Sequence, residues 1–556
     1  MKSILLMIAT AFRMVVIPAQ FSDCEFSSSR SEIMLAVDAM QEYFNKQYGD
    51  KCTFTFEVAP NVTLSHPHSY YGNNYTDRKD ALLHEAVREA CNLSTSIDFN
   101  TCDNDGDGYV DNVMLFVSGK SETDGAGEDW IWPQRDFLRS NGGSLLIRGA
   151  RIDGYTVVPE GKIGMACHEM GHVLGLCDLY DTDGEGSGGQ SKALWGTGLM
   201  DLGCLNGDGN TPPNFSAIDL ELLDIGQCTP LTVGSHTLFP IDKKKEYLRM
   251  DTDTDGEFFL FECRSASGND KFIGGSGLIV YHIDMSNRPA GYSEYYKVEL
   301  NAYERWMKSQ VNCRPDRQCA MIVPAVEEAV SPAGIFFPQR GISSLSSSSN
   351  SAFRFWSGKQ VPLALTGITL GTDGSLSFKV VEPMSISDII TWQDGATICW
   401  TIDENIHGIS GFELECSDGE ESKKISCGKE MHSFVVEGLK PRTRYSFTIT
   451  ALSSGGDTFS VAGEFTTKVM MDGTYPYIYL QTAARDDNGR FIKGAKIPLR
   501  VFNAAEAESV EWFMDDKRIQ VDGSGYYTIE ASGCLTARVH MKDGSTTVLM
   551  KEIITI

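Results

Sequence analysis

The chain has 556 residues, is 42% hydrophobic, holds 15 cysteines and carries a formal net charge of −27. That length exceeds what one hydrophobic core supports, so several domains are expected. The acidic balance, without a long basic run, argues against nucleic acid as a partner, and no run of eighteen apolar residues is present to span a membrane.

Met1-Lys2-Ser3 followed by Ile4 to Ala11 reads as a very short signal segment over residues 1–11, ending in Ala-Thr-Ala. A buried strand follows at Met14 to Phe21. Asp80 to Cys91 places Leu82, Leu83, Ala86, Val87 and Ala90 on one face of a helix.

Asp103-Asn104-Asp105-Gly106-Asp107-Gly108-Tyr109-Val110-Asp111 presents oxygens at alternate positions with a glycine sixth, the opening of a calcium loop. Asp103, Asp105 and Asp107 would bind calcium through side chains, Tyr109 through its carbonyl, and Asp111 directly or through water. The pattern departs from an EF-hand at the twelfth position, where Met114 replaces glutamate. Val113 to Val117 then reads as a buried strand instead of an exiting helix. A solvated acidic turn is the plainer alternative. Asp181 to Glu185 is a weaker calcium candidate of the same kind.

His168-Glu169-Met170-Gly171-His172-Val173-Leu174-Gly175-Leu176-Cys177-Asp178 concentrates the chemistry. Residues i and i+4 share one helical face, so His168 and His172 can bind one metal ion from the same side. Glu169 is offset towards the open coordination position, where it could take a proton from water polarised by the ion. Gly175 can adopt a left-handed conformation and turn the chain back to deliver Asp178 as third ligand, with Asp181 in reserve. The bland alternative is an amphipathic helix carrying two structural histidines.

HExxHxxGxxD resembles the metzincin signature with Asp in place of the third histidine. The segment His168 to Asp181 resembles the metal helix of the immune inhibitor A-type secreted metalloproteases. That resemblance implies a methionine turn beneath the metal, and Trp195-Gly196-Thr197-Gly198-Leu199-Met200-Asp201 supplies Met200. It also implies the following Asn214-Phe215-Ser216-Ala217 and the helical run Ile218 to Leu223. The fold expected is multidomain: an α+β metzincin-like catalytic domain over 12–227, then all-β sandwich domains. Catalytic zinc and structural calcium are the implied cofactors. Protein or peptide substrates and an extracellular location, secreted or cell-surface, are implied with them.

From 228 to 382 the pattern becomes short β runs, such as Phe258 to Glu262 and Gly277 to Asp284, resembling the β-rich segment that follows the protease core in that family. His282 reads as structural. Residues 383–468 resemble a fibronectin type III domain, carried by Trp392, Trp400 and the Leu439-Lys440-Pro441 turn before Tyr445. Residues 469–556 read as an immunoglobulin-like sandwich with Trp512 at a core position. These modules could contact glycan or cell surface, with a spacer role preferred. Cys313 with Cys319, and Cys416 with Cys427, are the candidate disulfide pairs. The expected activity is a zinc endopeptidase; the alternative is a catalytically silent adhesin or binding protein on a protease-like scaffold. The presence of His168, Glu169, His172, Asp178 and Met200 together favours the enzyme.

Overall fold

The computed structural model describes residues 10–72, 79–140, 142–329, 331–347, 349–403, 409–453, 458–468, 476–480, 485–486, 489–504, 506–521 and 525–556. The signal segment expected at 1–11 therefore lies almost wholly outside the described residues. The chain forms two compact units: 1–346 with 350–359 and 365–380, and 381–556 with 347–349 and 360–364.

In the first unit, the strands Thr53–Val58, Ala11–Gln20, Val113–Val117 and Gly154–Pro159 pair in parallel in that order, and Gln134–Phe137 closes the edge antiparallel. Alternate residues of the first strand face opposite ways. Phe12, Met14 and Val16 join a core with the helix Arg30–Tyr48 and the helix Ile163–Val173. Val15, Ile17 and Ala19 join a second core with Leu83, Val87 and Ala90 of the helix Lys79–Leu93. Burial on both faces explains why the inner strands Val113–Val117 and Gly154–Pro159 read as continuous apolar runs, while the edge strand Thr53–Val58 alternates.

A second sheet orders the strands Ala320–Val323, Gly277–Asp284, Glu257–Arg264, Glu246–Asp251 and Gln227–Pro230. Phe258, Leu260, Ile279, Tyr281 and Ile283 from its central strands belong to the same core as Met170, Leu174 and Met200. One core thus spans the 227/228 boundary expected from the sequence. The texture changes there from helix to strand, but one face of the new sheet packs against the older half.

In the second unit, Met384–Trp392, Gly395–Ile402 and Ser433–Glu437 form one sheet and Ser422–Gly428, Ile409–Ser417, Arg444–Ser453 and Thr458–Thr466 another. Trp400 is buried between them and stacks on Phe434 at 4.9 Å. The Tyr445 hydroxyl accepts the Lys440 N–H at 2.9 Å, a tyrosine corner. Further on, Ala507–Met514, Gly533–Met541 and Thr546–Ile553 pair in one sheet, and Trp512 sits in a core with Leu535, Ala537 and Val539.

All fifteen cysteines are free thiols. Cys416 faces Lys423 and Cys427 faces Phe412 across the strand pair, so the two are offset along the ladder and cannot bridge, contrary to the sequence expectation. Cys313 instead lies 3.1 Å from the Thr182 hydroxyl, and its expected bond to Cys319 is not formed. No helix of the described residues is long and apolar enough to cross a membrane.

Candidate metal centre

The helix Ile163–Val173 buries Ala166, Cys167, Met170 and Val173 in the first core and turns His168 and His172 to the opposite side. Their rings lie 4.9 Å apart, nearly perpendicular. The helix then stops, and Gly175 takes φ +98°, a conformation few residues other than glycine hold without strain. The reversal brings Asp178 beneath the histidines, with its Oδ1 3.1 Å from His168 Nε2 and 3.2 Å from His172 Nε2.

The other ring nitrogens fix what this contact means. His168 Nδ1 lies 3.1 Å from the Leu199 carbonyl and His172 Nδ1 2.9 Å from the Leu176 carbonyl. A carbonyl only accepts, so each Nδ1 carries the proton and, in the neutral ring, each Nε2 offers a lone pair. Two lone pairs and a carboxylate oxygen then converge on one point, an arrangement that requires a cation between them. Protons or a metal ion would serve, and two imidazoles with one carboxylate form a set that suits zinc. The electrostatics of the site carry the same demand. Burial opposes charge on His168, but the Asp178 hydrogen bond outweighs it and holds this imidazole well above its ordinary range. Burial would raise Asp178, yet the bonds from His168 and His172 hold it below the usual carboxylate range.

Glu169, 4% exposed, accepts no hydrogen bond from the described residues. Burial raises its carboxyl above the ordinary value against the pull of His168 and His172. Met200 is fully buried under the same helix: a Cβ built on Gly171 would fall 2.5 Å from its Sδ. Its carbonyl accepts the Leu179 N–H at 2.8 Å, so the methionine turn and the segment carrying Asp178 are joined.

Residues far along the chain complete the surroundings, and no local motif announces them. The Asp178 N–H donates to Ser309 Oγ at 3.1 Å, and Asn312 Nδ2 donates to the Leu179 carbonyl at 2.7 Å. Asp181, the reserve ligand, lies apart from the histidines: its carboxylate accepts the N–H groups of Asp183, Gly184 and Ser191. It clusters with Asp183 and Cys313. His282 is buried and bonded to Glu257 at 2.9 Å, and its burial lowers its basicity.

In the acidic loop, carboxylate oxygens of Asp103, Asp105 and Asp111 lie within 4.8 Å of one another. Asp103 accepts the N–H groups of Gly106 and Gly108, which folds the loop around it. Asp107 instead accepts the Tyr109 N–H and stands outside that cluster of three. Tyr109 directs its hydroxyl to Arg151. Asp111 accepts from Asn104, and burial raises its carboxyl.

Residues 18–226 match the family described as immune inhibitor A peptidase M6, catalytic domain, and residues 381–466 match the fibronectin type III domain. The pre-pro-metalloprotease PrtV of Vibrio cholerae serotype O1 (strain M66-2) is 28% identical over 232 residues, 35% of this chain and 24% of that protein. Immune inhibitor A of Bacillus thuringiensis subsp. alesti is 28% identical over 220 residues, 33% of this chain and 31% of that protein. The chain thus spans under a third of the length of each of these curated relatives. The likeness covers the strands Thr53–Val58, Val113–Val117 and Gly154–Pro159, the helix Ile163–Val173 and the turn that carries Met200. The N-terminal region of this chain thus matches the peptidase M6 catalytic domain of the immune inhibitor A type, and a region further on matches the fibronectin type III domain.

Proposed function

We propose that this chain is a secreted zinc-dependent endopeptidase that hydrolyses peptide bonds of extracellular proteins. The observation carrying the reading is the convergence of His168 Nε2, His172 Nε2 and Asp178 Oδ1, with Glu169 free beside them. His168, His172 and Asp178 would hold the ion. A zinc ion bound there supplies Lewis acidity, polarising the scissile carbonyl and acidifying the attacking water. Glu169, raised by burial, accepts that water's proton and passes it to the leaving amine. The carbonyls of Leu199 and Leu176 hold the two imidazoles in the tautomer that leaves Nε2 unprotonated. Met200 supplies the apolar floor.

Asp103, Asp105, Asp107, Tyr109 and Asp111 would hold a structural calcium ion, with the first, second and last as its core. This loop opens the strand Val113–Val117 at the centre of the parallel sheet. Calcium there would tie the sheet to the loop that enters it. The C-terminal modules would act as spacers or contact glycan or cell surface; no catalytic cluster is found among their described residues.

The test is a paired assay of the zinc-loaded protein and a Glu169→Ala variant on denatured casein, with and without a zinc chelator. Cleavage lost with either change supports the reading. A folded, zinc-loaded wild type that cleaves nothing favours the adhesin alternative. Cleavage surviving in Glu169→Ala removes that residue's assignment.

A further inference from the structure

The family match ends at residue 226, and a fully buried, fully bonded arginine of the first unit lies beyond it. Arg264, at the end of the strand Glu257–Arg264, is 0% exposed. A guanidinium has five N–H donors, and all five are used. Nε donates to Asp270 Oδ2 at 2.9 Å and Nη2 to Asp270 Oδ1 at 2.6 Å. Nη1 donates to Glu262 Oε1 at 3.0 Å. The two remaining donors reach backbone carbonyls of the peptidase domain: Thr197 at 3.3 Å and Asn214 at 3.2 Å.

The two carboxylates continue the grip. Asp270 accepts the Asn214 N–H at 2.9 Å, and Glu262 accepts the Ala217 N–H at 2.6 Å. The Tyr281 hydroxyl completes Glu262 at 2.7 Å. The stretch from Thr197 to Ala217 is therefore held at both ends by one buried ionic group. Inside that stretch lie the Leu199 carbonyl, which orients His168, and Met200, which packs under Gly171.

We propose that Arg264 is a positioning residue for the metal centre: its guanidinium fixes the turn whose Leu199 carbonyl and Met200 side chain set the orientation of His168. This rests on the metal-centre reading given above. A burial of this kind is costly unless every group is paired, and here two of the donors are spent on backbone carbonyls, Thr197 in the turn below the helix Ile163–Val173 and Asn214 at the far end of the held stretch.

The experiment compares metal binding in the wild type, in Arg264→Lys and in Leu278→Ala, all as the full chain. Lysine keeps the positive charge but lacks the planar fork that reaches Asp270 and both carbonyls together. Leu278 is equally buried and pairs across the strands with Cys263, on the sheet face opposite Glu262 and Arg264, so it reports general destabilisation. Zinc affinity is read by competition with a chelator, and the visible spectrum of the cobalt-substituted protein reads the ligand geometry. Arg264→Lys is expected to bind zinc about ten- to a hundredfold more weakly and to show an altered cobalt spectrum, while Leu278→Ala keeps both. On a short peptide substrate, the kcat of Arg264→Lys falls with KM little changed.

If Arg264→Lys does not fold, the uncharged Glu262→Gln/Arg264→Met/Asp270→Asn variant is read by the same criteria. A folded variant with wild-type affinity and cobalt spectrum overturns the proposal. So does an affinity loss matched by Leu278→Ala. A wild type that binds no zinc removes the metal-centre reading and the clamp's role with it. A wild type that binds zinc without cleaving peptides removes only the protease reading, because the decisive readouts are metal binding and cobalt absorption.

Discussion

Met200 fills the space that a side chain at position 171 would need: a Cβ on Gly171 would lie 2.5 Å from its Sδ and 3.3 Å from its methyl. A side chain at position 171, between His168 and His172, would therefore have to displace the end of the methionine. Gly171→Ala should gain about 1 kcal/mol of helix propensity and lose about 1–3 kcal/mol through overpacking of a fully buried site. The expected result is a small net destabilisation and weaker zinc binding, read by thermal unfolding and chelator competition. A stabilised variant with unchanged affinity would contradict this packing argument.

Ser309 accepts the Asp178 N–H and places its own hydroxyl 3.4 Å from Asp178 Oδ2. Ser309→Ala should weaken zinc binding about tenfold while leaving the fold intact. Isothermal titration of the zinc-free protein measures it; an unchanged dissociation constant would show that Asp178 needs no such support.

A chain cut after residue 226 should not fold. The cut removes Phe258, Leu260, Ile279, Tyr281 and Ile283 from the core that contains the metal helix. At about 1.5–3 kcal/mol for each buried side chain, that loss is on the order of 10 kcal/mol, comparable with a whole domain's stability. Circular dichroism and zinc binding of the fragment decide the matter; a cooperative, zinc-binding fragment would count against the shared core.

Calcium should stabilise the first unit through the loop at Asp103, Asp105 and Asp111. At a hundredfold excess over its dissociation constant, the gain is about 2.7 kcal/mol. Asp103→Ala should abolish it, since that carboxylate also closes the loop on Gly106 and Gly108. Equal melting temperatures with calcium and with a calcium chelator would remove the site.

Asp219 caps the helix Ala217–Leu223, and burial pushes its carboxyl up to about 6. An unfolded aspartate titrates near 3.9, so the folded chain favours the protonated form. Its stabilising contribution is complete below pH 4 and is lost as pH rises through 6. Asp219→Asn removes the titration while keeping an acceptor for the Ser216 N–H. Wild type should therefore lose roughly 3 kcal/mol relative to Asp219→Asn between pH 4 and pH 8. Denaturant unfolding across that range checks it, and parallel curves would be the contrary outcome.

The helix Ile163–Val173 and the meeting of its two histidines with Asp178 were legible because their determinants are local. The i, i+4 spacing of His168 and His172, and the glycine at 175, need no knowledge of the rest of the chain. The strand Val113–Val117 and the tyrosine corner at Tyr445 were legible for the same reason. What was not legible depends on contacts across long separations. Ser309 meets Asp178 from 131 positions away, and Arg264 reaches Thr197 across 67. Nothing local marks Arg264 at the end of the run Glu257–Arg264 as an ion-paired interior residue; its partners Asp270, Thr197 and Asn214 are set by tertiary packing. The cysteine pairings failed because proximity along the chain says nothing about register: Cys416 and Cys427 share a hairpin but not a rung.

The buried trio of Glu262, Arg264 and Asp270 also constrains how such sequences can drift. Losing one partner leaves an uncompensated interior charge at a cost of about 3–5 kcal/mol, whereas replacing all three together with apolar or neutral groups can be close to neutral. Lineages that keep this architecture should therefore retain the three as a set or exchange them as a set, and positions 262, 264 and 270 should covary with one another more tightly than with their chain neighbours.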